Sequence, residues 1–285
     1  MSIHSERPVF VLGSGRCGST LVQSILNSHP DFLIWGEHGG WVRQVADAYY
    51  RATKSDVPGK NIRSSGNSLP EQIARMRTPG YFGHWDNHLA PRELVESFRG
   101  LIQSVFAPPA TEATRWGFKE IRYCIHPLDR TPEFLLECFP RATFLIVVRN
   151  PWETVFSMLS KWWRKRGEID AGAIDAALSR AWTRWDHQYS NLFLFQRTAP
   201  HNSLILRFED VLDPVVAGAL FARIGANPAG DILPILRAGG DGCVRDDDTA
   251  RRIRERMSFA AARLAHLSRR TRLLYGYESP PSGWA

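Results

Sequence analysis

Two short apolar runs stand out along the chain, at residues 9–12 and 143–148. Each run is continuous rather than alternating with polar positions, which is typical of a parallel strand buried on both faces. After the first run, apolar residues recur at helical spacing from Leu21 to Leu26, and the sequence Ser-His-Pro then ends the helix. The pattern therefore predicts a buried strand, a short loop and a helix, in that order.

Further segments extend this pattern. Shorter apolar runs predict strands at residues 32–36, 115–120 and 203–207. Helical periodicity, or a proline at the first turn, predicts helices at residues 40–53, 91–106, 131–139 and 171–198. A further helix is predicted to begin at Pro151, and helical segments follow the last strand to the C-terminus. The polar stretch at residues 54–70 predicts a loop. Because strands alternate with helices, we expect an α/β fold, a P-loop-like three-layer αβα arrangement with a central parallel sheet and helical insertions.

The length and composition predict one globular domain over residues 1–285. No apolar run approaches the roughly 20 residues of a membrane span, and the polar residues before the first strand do not form a signal peptide. The 4 cysteines are widely spaced, so neither a disulfide framework nor a zinc cluster is expected. These features predict a cytoplasmic protein without a transmembrane segment.

The net charge of +7 bears on the class of ligand. An excess of cations suits nucleic acid, a membrane surface or a strongly anionic small molecule. The arginines are densest at residues 251–272, on a predicted C-terminal helix whose solvated face explains most of them. Because no nucleic-acid-binding motif is present, we expect no nucleic-acid partner.

The loop after the first strand, residues 13–20, reads Gly-Ser-Gly-Arg-Cys-Gly-Ser-Thr. In the order strand, glycine loop, helix, the loop N–H groups and the helix N-terminus converge on one point, which makes an anion site. Glycines let the chain turn tightly and approach a bound group. The candidate anion-binding residues are Gly15, Arg16, Cys17, Gly18, Ser19 and Thr20. The alternative is a glycine-rich turn without a ligand.

This loop differs from a Walker A loop at one decisive position. Gly13 and Gly18 have the spacing of G-x-x-x-x-G-K-[ST], but Ser19 stands where that motif has lysine. The cation of the loop is Arg16 instead, which weakens an ATPase or kinase interpretation while a phosphate-type anion is still expected. Cys17 is either a thiol with a lowered pKa or a small packing residue, and packing is the favoured role.

A second anion-binding pair follows the apolar run at residues 143–148. Arg149 comes directly after that strand, and Ser157 lies about two turns into the next helix. An arginine at a strand end and a hydroxyl on the adjoining helix can clamp a second phosphate beside the first. A magnesium-dependent phosphotransferase needs an aspartate at this strand end, whereas a cation repels a metal. The sequence thus predicts a site for two anionic groups and no metal.

The remaining candidates also lie at or just after strand ends. Glu37 and His38 follow the second predicted strand, and Lys119 and Arg207 end two later ones. In parallel sheets the ligand sits beyond the carboxyl ends of the strands. We therefore expect these residues to gather at one edge of the sheet, beside the glycine loop.

These motifs resemble those of the PAPS-dependent sulfotransferases. GSGRCGSTL followed by IVVRNPWETVFSM is similar to the motif pair of that family, most of all to its tyrosylprotein-type and related bacterial members. Shared landmarks are the loop arginine, a helix ending in HPD, a GE dipeptide, a later lysine at a strand end, LRFEDVLDP and a final LYGY. The likeness covers most of residues 8–225 except about 41–114, which we expect to be a variable acceptor-binding or lid region. The commoner cytosolic members differ, with lysine and serine in the loop and a later RKG motif.

The resemblance implies transfer of a sulfuryl group from PAPS (3′-phosphoadenosine 5′-phosphosulfate) to an acceptor hydroxyl, without a metal. It implies that the glycine loop binds the 5′-phosphosulfate, that Arg149 and Ser157 bind the 3′-phosphate, and that Arg207 belongs with the cofactor-binding residues. Arg16 and Lys119 are implied to neutralise charge on the transferred group. A glycan, a glycolipid or a small metabolite is favoured over peptide tyrosine as acceptor, and the oligomeric state stays open.

An acceptor hydroxyl must lose its proton as the new S–O bond forms, and a positioned base contributes typically ~10²–10⁴-fold. Glu37 matches the glutamate base of the tyrosylprotein-type family in position and is the first choice. His38 is its rival. Less favoured candidates are His84, Asp86, His88 and His126. The alternative interpretation of Lys119 is a surface lysine in a salt bridge with Glu120.

Two other classes of protein compete with this interpretation. A P-loop nucleotide-dependent phosphotransferase would need a loop lysine and a magnesium carboxylate, and neither is visible in the motifs. A non-catalytic basic module that binds a nucleotide or nucleic acid is favoured only if Glu37 and Lys119 are dispensable while anion binding survives. Aromatic residues such as Trp35, Trp41, Trp182 and Trp185 either line an acceptor pocket or belong to the core.

Overall fold

The computed structural model describes residues 6–53, 63–64, 68–81, 86–87, 91–107, 115–163, 170–227, 232–240 and 248–278. Its strands are β1 (Val9–Gly13), β2 (Phe32–Trp35), β3 (Arg63–Ser64), β4 (Asp86–Asn87), β5 (Arg115–Glu120), β6 (Thr143–Val148) and β7 (Ser203–Arg207). Its helices are α1 (Ser19–Asn27), α2 (Trp41–Thr53), α3 (Leu69–Met76), α4 (Pro91–Phe106), α5 (Thr131–Cys138), α6 (Pro151–Trp163), α7 (Ala171–Thr198), α8 (Phe208–Val211), α9 (Pro214–Arg223), α10 (Leu233–Gly240), α11 (Asp248–Leu267) and α12 (Arg269–Leu274).

A parallel sheet with the strand order β2-β5-β1-β6-β7 forms the centre of the molecule. β1 lies in the middle, with Leu12 opposite both Glu120 of β5 and Ile146 of β6. β3 and β4 pair separately, as two-residue strands. Because the central strands are parallel, their carboxyl ends share one edge, and the segments that follow β1, β2, β5 and β6 meet there. The predicted α/β fold with a central parallel sheet is confirmed.

The side chains of β1 alternate between the two faces of this sheet. Val9 and Val11 belong to a core cluster formed with α1, α9 and α10. Phe10 and Leu12 belong to a second cluster formed with α2, α4, α5 and α7. Helices therefore cover both faces, which is the three-layer arrangement that the alternating sequence pattern predicts and the reason that β1 reads as one continuous apolar run.

The long helix α7 extends past the carboxyl edge of the sheet. Its 28 residues correspond to roughly 42 Å of helix. Phe195, near its C-terminus, packs on Phe144 near the start of β6, with ring centroids 4.8 Å apart. Gln188 reaches the carbonyl oxygen of Gly13 at the end of β1. The part of α7 before Gln188 therefore lies beyond the strand ends, where it packs with α6 and α11 in a third core cluster.

The predicted loop at residues 54–70 is wrong where the structure describes it. Residues 63–64 form β3, and α3 begins at Leu69. A capping box starts this helix, since the backbone N–H of Ser68 donates to the carboxylate of Glu71 at 2.9 Å. The signal S-x-x-E was present in the sequence. Among the described helices, none combines the length and the apolar character needed to cross a membrane.

Candidate active site

The glycine loop between β1 and α1 depends on two of its glycines. A side chain at Gly13 would place its Cβ 2.5 Å from the carbonyl oxygen of Val147 and 2.7 Å from Cys17 Sγ. Gly18 has a φ of 91°, and a Cβ there would overlap the ring of Phe208. Gly15 differs, because a Cβ at that position meets only ordinary contacts, the nearest at 3.6 Å. The tight turn therefore requires Gly13 and Gly18.

The loop leaves the N-terminus of α1 uncapped. Gly18 is the residue that precedes the helix, so the N-cap position offers no side-chain acceptor, and no acidic residue lies in the first turn. Arg16 has a φ of 67° and Gly18 a φ of 91°, so the loop contains left-handed residues, the kind of backbone that forms anion-binding concavities. The positive end of the helix and these N–H groups form a site suited to an anion.

A hydrogen bond joins this loop to the second predicted motif. Arg16 Nε donates to Ser157 Oγ at 3.0 Å, and Ser157 is buried on α6. Arg149 and Ser157 make no such bond to each other. Arg149 lies instead with its guanidinium 4.7 Å above the ring of Phe208, the same ring that covers Gly18, and 3.2 Å from the carboxylate of Glu153. The two motifs that were predicted to bind anions thus lie on one contiguous surface.

Lys119 links the glycine loop to Glu37. Lys119 Nζ donates to Glu37 Oε1 at 2.7 Å and to Thr20 Oγ1 at 3.3 Å. The side chain of Lys119 is 7% exposed and that of Glu37 is 31% exposed. The alternative interpretation of Lys119, a surface residue paired with Glu120, is therefore wrong. The pair that forms instead places a cation and a carboxylate side by side next to the anion loop.

The charge state of Glu37 follows from its neighbours. Burial alone would raise the pKa of its carboxyl group. The ion pair with Lys119 and the nearby charge of Arg122 outweigh burial, so the pKa of Glu37 lies below its ordinary value. Arg122 Nη1 lies 3.2 Å from Glu37 Oε2. Glu37 is consequently a charged carboxylate at neutral pH, held between two cations.

Glu120 anchors the segment that carries Glu37, and the motifs gave no indication of this role. Its side chain is 0% exposed. One carboxylate oxygen accepts from the backbone N–H of Gly40 at 2.8 Å and of His38 at 3.3 Å, and the other accepts from the N–H of Ile121 at 2.9 Å and from Arg122 Nη1 at 2.7 Å. The segment after β2 is therefore fixed to the end of β5 through this carboxylate.

His38 packs into the core rather than facing the anion loop. Its side chain is 9% exposed, and its ring centroid lies 4.6 Å from that of Phe118. Nε2 is 3.0 Å from Tyr123 Oη. Burial lowers the pKa of His38 even though the carboxylate of Glu120 opposes this. These surroundings favour a structural role for His38 and leave Glu37 as the more accessible carboxylate or imidazole at the site.

Two neighbouring residues of α7 hold the base of the glycine loop, and sequence reasoning missed both. Gln188 Nε2 donates to the carbonyl oxygens of Gly13, Ile121 and Tyr123 at 3.0, 3.1 and 2.8 Å. Tyr189 Oη accepts from the N–H of Ser14 at 3.1 Å and donates to the carbonyl oxygen of Val147 at 2.7 Å. These bonds tie the ends of three strands to one helix. The only signal in the sequence was the glutamine itself, a polar residue that stands among apolar positions of α7.

Cys17 and Arg207 differ in how they relate to the loop. Cys17 is fully buried, and burial raises the pKa of its thiol, which agrees with a packing role.

Arg207 ends the edge strand β7, with its guanidinium 4.9 Å from the ring centroid of Tyr277. Tyr277 Oη donates to Glu209 at 2.7 Å, and Glu209 accepts the N–H of Asn150 at 3.0 Å. The C-terminal LYGY segment is thereby joined to the turn that presents Arg149.

The described part of the structure places none of the less favoured base candidates in this cluster. His126 is exposed on the segment between β5 and α5. Asp86 belongs to β4, and His84 and His88 lie outside the described residues. Of the aromatic candidates, Trp182 and Trp185 belong to the core, while Trp35 is 43% exposed and donates through Nε1 to the carbonyl oxygen of Phe106 at 2.8 Å.

Comparison with known proteins identifies the family. A family model described as "Sulfotransferase family" matches residues 8–217, well over half of the chain. The chain belongs to the sulfotransferase family. No curated protein sequence matches this sulfotransferase. The glycine loop, Glu37, Lys119, Arg149, Ser157 and Arg207 all fall inside the matched span.

Solved structures of bacterial sulfotransferases resemble this protein. The sulfotransferase from Alicyclobacillus acidocaldarius has 16% sequence identity and a TM-score of 0.51, with 98% of each chain covered. Sulfotransferase STF9 from Mycobacterium avium has 13% identity and a TM-score of 0.48, with coverage of 97% of this chain and 79% of that chain. The sulfotransferase domain of the Synechococcus PCC 7002 olefin synthase has 16% identity and a TM-score of 0.45, with coverage of 86% and 80%. The first of these likenesses supports the fold.

Proposed function

We propose that this protein transfers a sulfuryl group from PAPS to an acceptor hydroxyl, with Glu37 as general base and without a metal ion. The observation that carries the proposal is the chain of contacts Thr20–Lys119–Glu37 beside an uncapped helix N-terminus. It sets a cation and a charged carboxylate next to a site for an anion. That combination suits a reaction in which an anionic group moves to a hydroxyl that must lose its proton.

The residues at the strand ends fit a ligand with two anionic groups. The loop N–H groups, Ser19, Thr20 and Arg16 would hold the phosphosulfate of PAPS at the N-terminus of α1. Arg149 and Ser157 would hold the 3′-phosphate, since both lie on the surface that continues from the loop through the Arg16–Ser157 bond and the shared Phe208 ring. Arg207 would support this side through its contact with the C-terminal Tyr277.

The transfer itself breaks the S–O bond to the donor phosphate and forms an S–O bond to the acceptor oxygen. Lys119 and Arg16 would stabilise the charge on the group in transit, and Glu37 would take the proton of the hydroxyl. The contact with Lys119 also controls the pKa of Glu37, the proposed base. When an anion binds near Lys119, the lysine charge is shared with it, the pKa of Glu37 rises toward its ordinary value, and Glu37 becomes a better proton acceptor.

The acceptor side of the site is proposed to lie between Glu37 and the segment at about 41–114. The start of that segment, α2, follows the Glu37 segment directly, and α2 and α4 pack on the sheet face beside Phe118. Trp41 and Phe106 stack there with ring centroids 5.9 Å apart. A hydroxyl of a glycan, a glycolipid or a small metabolite is the proposed acceptor.

The test is a calorimetric titration of the purified protein with PAP (3′-phosphoadenosine 5′-phosphate), AMP, and ATP with and without magnesium. We expect micromolar or tighter binding of PAP that is independent of magnesium and much stronger than that of AMP. Magnesium-dependent binding of ATP without preference for PAP would refute the proposal and favour a phosphotransferase. If PAP binds but Glu37→Gln and Lys119→Met both leave sulfuryl transfer intact, a different base must be sought.

A further inference from the structure

Two arginines, Arg122 beside Glu37 and Arg184 on α7, have donors that no described residue uses. Arg122 makes both of its ion pairs, to Glu37 and to Glu120, through Nη1, so its Nη2 and Nε groups have no partner among the described residues. Its side chain is 42% exposed. Arg184 on α7 is half-buried and makes no hydrogen bond or ion pair with any described residue. Both arginines therefore keep guanidinium donors that are available to a ligand.

The helix geometry places Arg184 at the acceptor side. Arg184 precedes Gln188 by one turn and lies on the same face of α7. Gln188 contacts the carbonyl oxygens of Ile121 and Tyr123, which flank Arg122. Because helical side chains lean toward the N-terminus, we expect Arg184 to extend past the strand ends, on the side of residues 121–123. The electrostatic influence of Arg122 on Arg184 agrees with this proximity.

The local charge is unbalanced in a way that an anion would correct. Lys119, Arg122 and Arg184 are cations, and the described carboxylates that form ion pairs with the first two are Glu37 and Glu120. Burial lowers the pKa of Arg184, and the positive charge of Arg122 lowers it further, so both effects disfavour the charged guanidinium. A partly desolvated cation next to a like charge is unfavourable unless a ligand compensates it.

We infer that Arg122 and Arg184 form a subsite for a carboxylate carried by the acceptor, close to the hydroxyl that receives the sulfuryl group. This inference rests on the proposed function, because the position of the hydroxyl is that of Glu37. Arg122 Nη1 lies 3.2 Å from Glu37 Oε2. The guanidinium of Arg122 would therefore lie between the carboxylate of the acceptor and Glu37, which receives the proton of the reacting hydroxyl. Arg184 is then a specificity-determining residue, since it would touch the acceptor but not the transferred group.

The experiment uses matched pairs of hydroxyl compounds that differ in one charge. The pairs are 4-hydroxyphenylacetate with 4-hydroxyphenylacetamide, and methyl glucuronide with methyl glucoside. Dissociation constants are measured by ligand-observed NMR titration of the protein, both with excess PAP and without PAP. The variants are Arg184→Met, Arg184→Lys and Arg197→Met. Arg197 is the matched control, an exposed arginine on the same helix at the opposite edge of the sheet.

In at least one pair, the carboxylate is expected to bind about 10- to 100-fold more tightly than its neutral partner to the wild type and to Arg197→Met. This preference should fall to about threefold or less in Arg184→Met and be partly restored in Arg184→Lys. Equal binding of charged and neutral partners, binding of neither, or an unchanged preference in Arg184→Met would each overturn the inference.

PAP affinity separates this inference from the proposed function. It is measured first for every variant, and it is expected to stay within about threefold of wild type, because Arg184 is assigned to the acceptor side. If PAP fails to bind but the carboxylate preference and its loss in Arg184→Met remain, the subsite stands and the proposed function falls. If PAP binds and the preference is absent, the proposed function stands and the subsite falls.

Discussion

The buried carboxylate of Glu120 offers the sharpest test of how this site is built. Glu120→Gln keeps the shape of the side chain but replaces one acceptor oxygen with an NH₂ donor. Each oxygen of Glu120 faces two donors, the N–H groups of His38 and Gly40 on one side and the N–H of Ile121 and the guanidinium of Arg122 on the other. Whichever way the amide turns, its NH₂ group therefore meets two donors.

The cost follows from burial. A buried donor without a partner costs about 1–3 kcal/mol, and breaking a buried ion pair costs about 3–5 kcal/mol. We expect Glu120→Gln to lower the free energy of unfolding by roughly 3–4 kcal/mol, which leaves a domain of ordinary stability folded. Because the same bonds fix the segment that carries Glu37, turnover should also fall by about 10- to 100-fold, since loose positioning of a catalytic group costs rate of this order.

The assay combines urea unfolding, PAP calorimetry and the release of PAP from PAPS in the presence of phenol and sugar acceptors. Glu96→Gln is the control, because Glu96 is exposed and pairs with Arg99 on the surface of α4, where the expected loss is below about 1 kcal/mol. PAP affinity should change little in Glu120→Gln, since Glu120 does not contact the glycine loop. A loss of stability as small as that of the control, or normal turnover, would refute this account of Glu120.

The other predictions concern the anion loop and the charges around it. Gly18→Ala should lower the free energy of unfolding by about 2–4 kcal/mol, because of its φ of 91° and the overlap with Phe208; urea unfolding checks this, and Gly15→Ala should cost less than about 1 kcal/mol. Arg149→Ala should weaken PAP binding about 10- to 100-fold and AMP binding far less, and equal losses in calorimetry would remove the 3′-phosphate assignment. Glu37→Gln should keep PAP affinity and lose turnover. In the wild type, the acid limb of kcat/KM should lie below the ordinary glutamate pKa of about 4.3, because the pKa of Glu37 is lowered and activity is lost only as pH falls through that pKa; a limb near pH 6.5 would indicate a histidine instead.

Much of the fold was predictable because its signals are local. The continuous apolar runs of β1 and β6 indicate strands that are buried on both faces. The glycine spacing indicates a tight turn, which the structure allows only with glycine at positions 13 and 18. A parallel sheet brings strand ends to one edge, so Glu37, Lys119 and Arg149 were expected to gather near the glycine loop. The α3 helix was missed although its capping box was visible, because polar composition was given more weight than helix-start chemistry.

The partners of the charged residues could not be assigned from their order along the chain. Lys119 and Glu120 are adjacent in sequence, but successive residues of a strand point to opposite faces, so Lys119 pairs with Glu37 while Glu120 is buried and holds the segment at residues 38–40. This period-2 geometry excludes the alternative interpretation, in which Lys119 pairs with Glu120.

The sequence by itself determined the strand–loop–helix unit, the second motif at Arg149 and the edge of the sheet where they meet, because short-range sterics and hydrophobic periodicity act within a few residues. Only the tertiary structure decided that Ser157 bonds to Arg16 and that Gln188 and Tyr189 support the glycine loop. These contacts join residues far apart in the chain, and their geometry exists only once the helices have packed on the sheet.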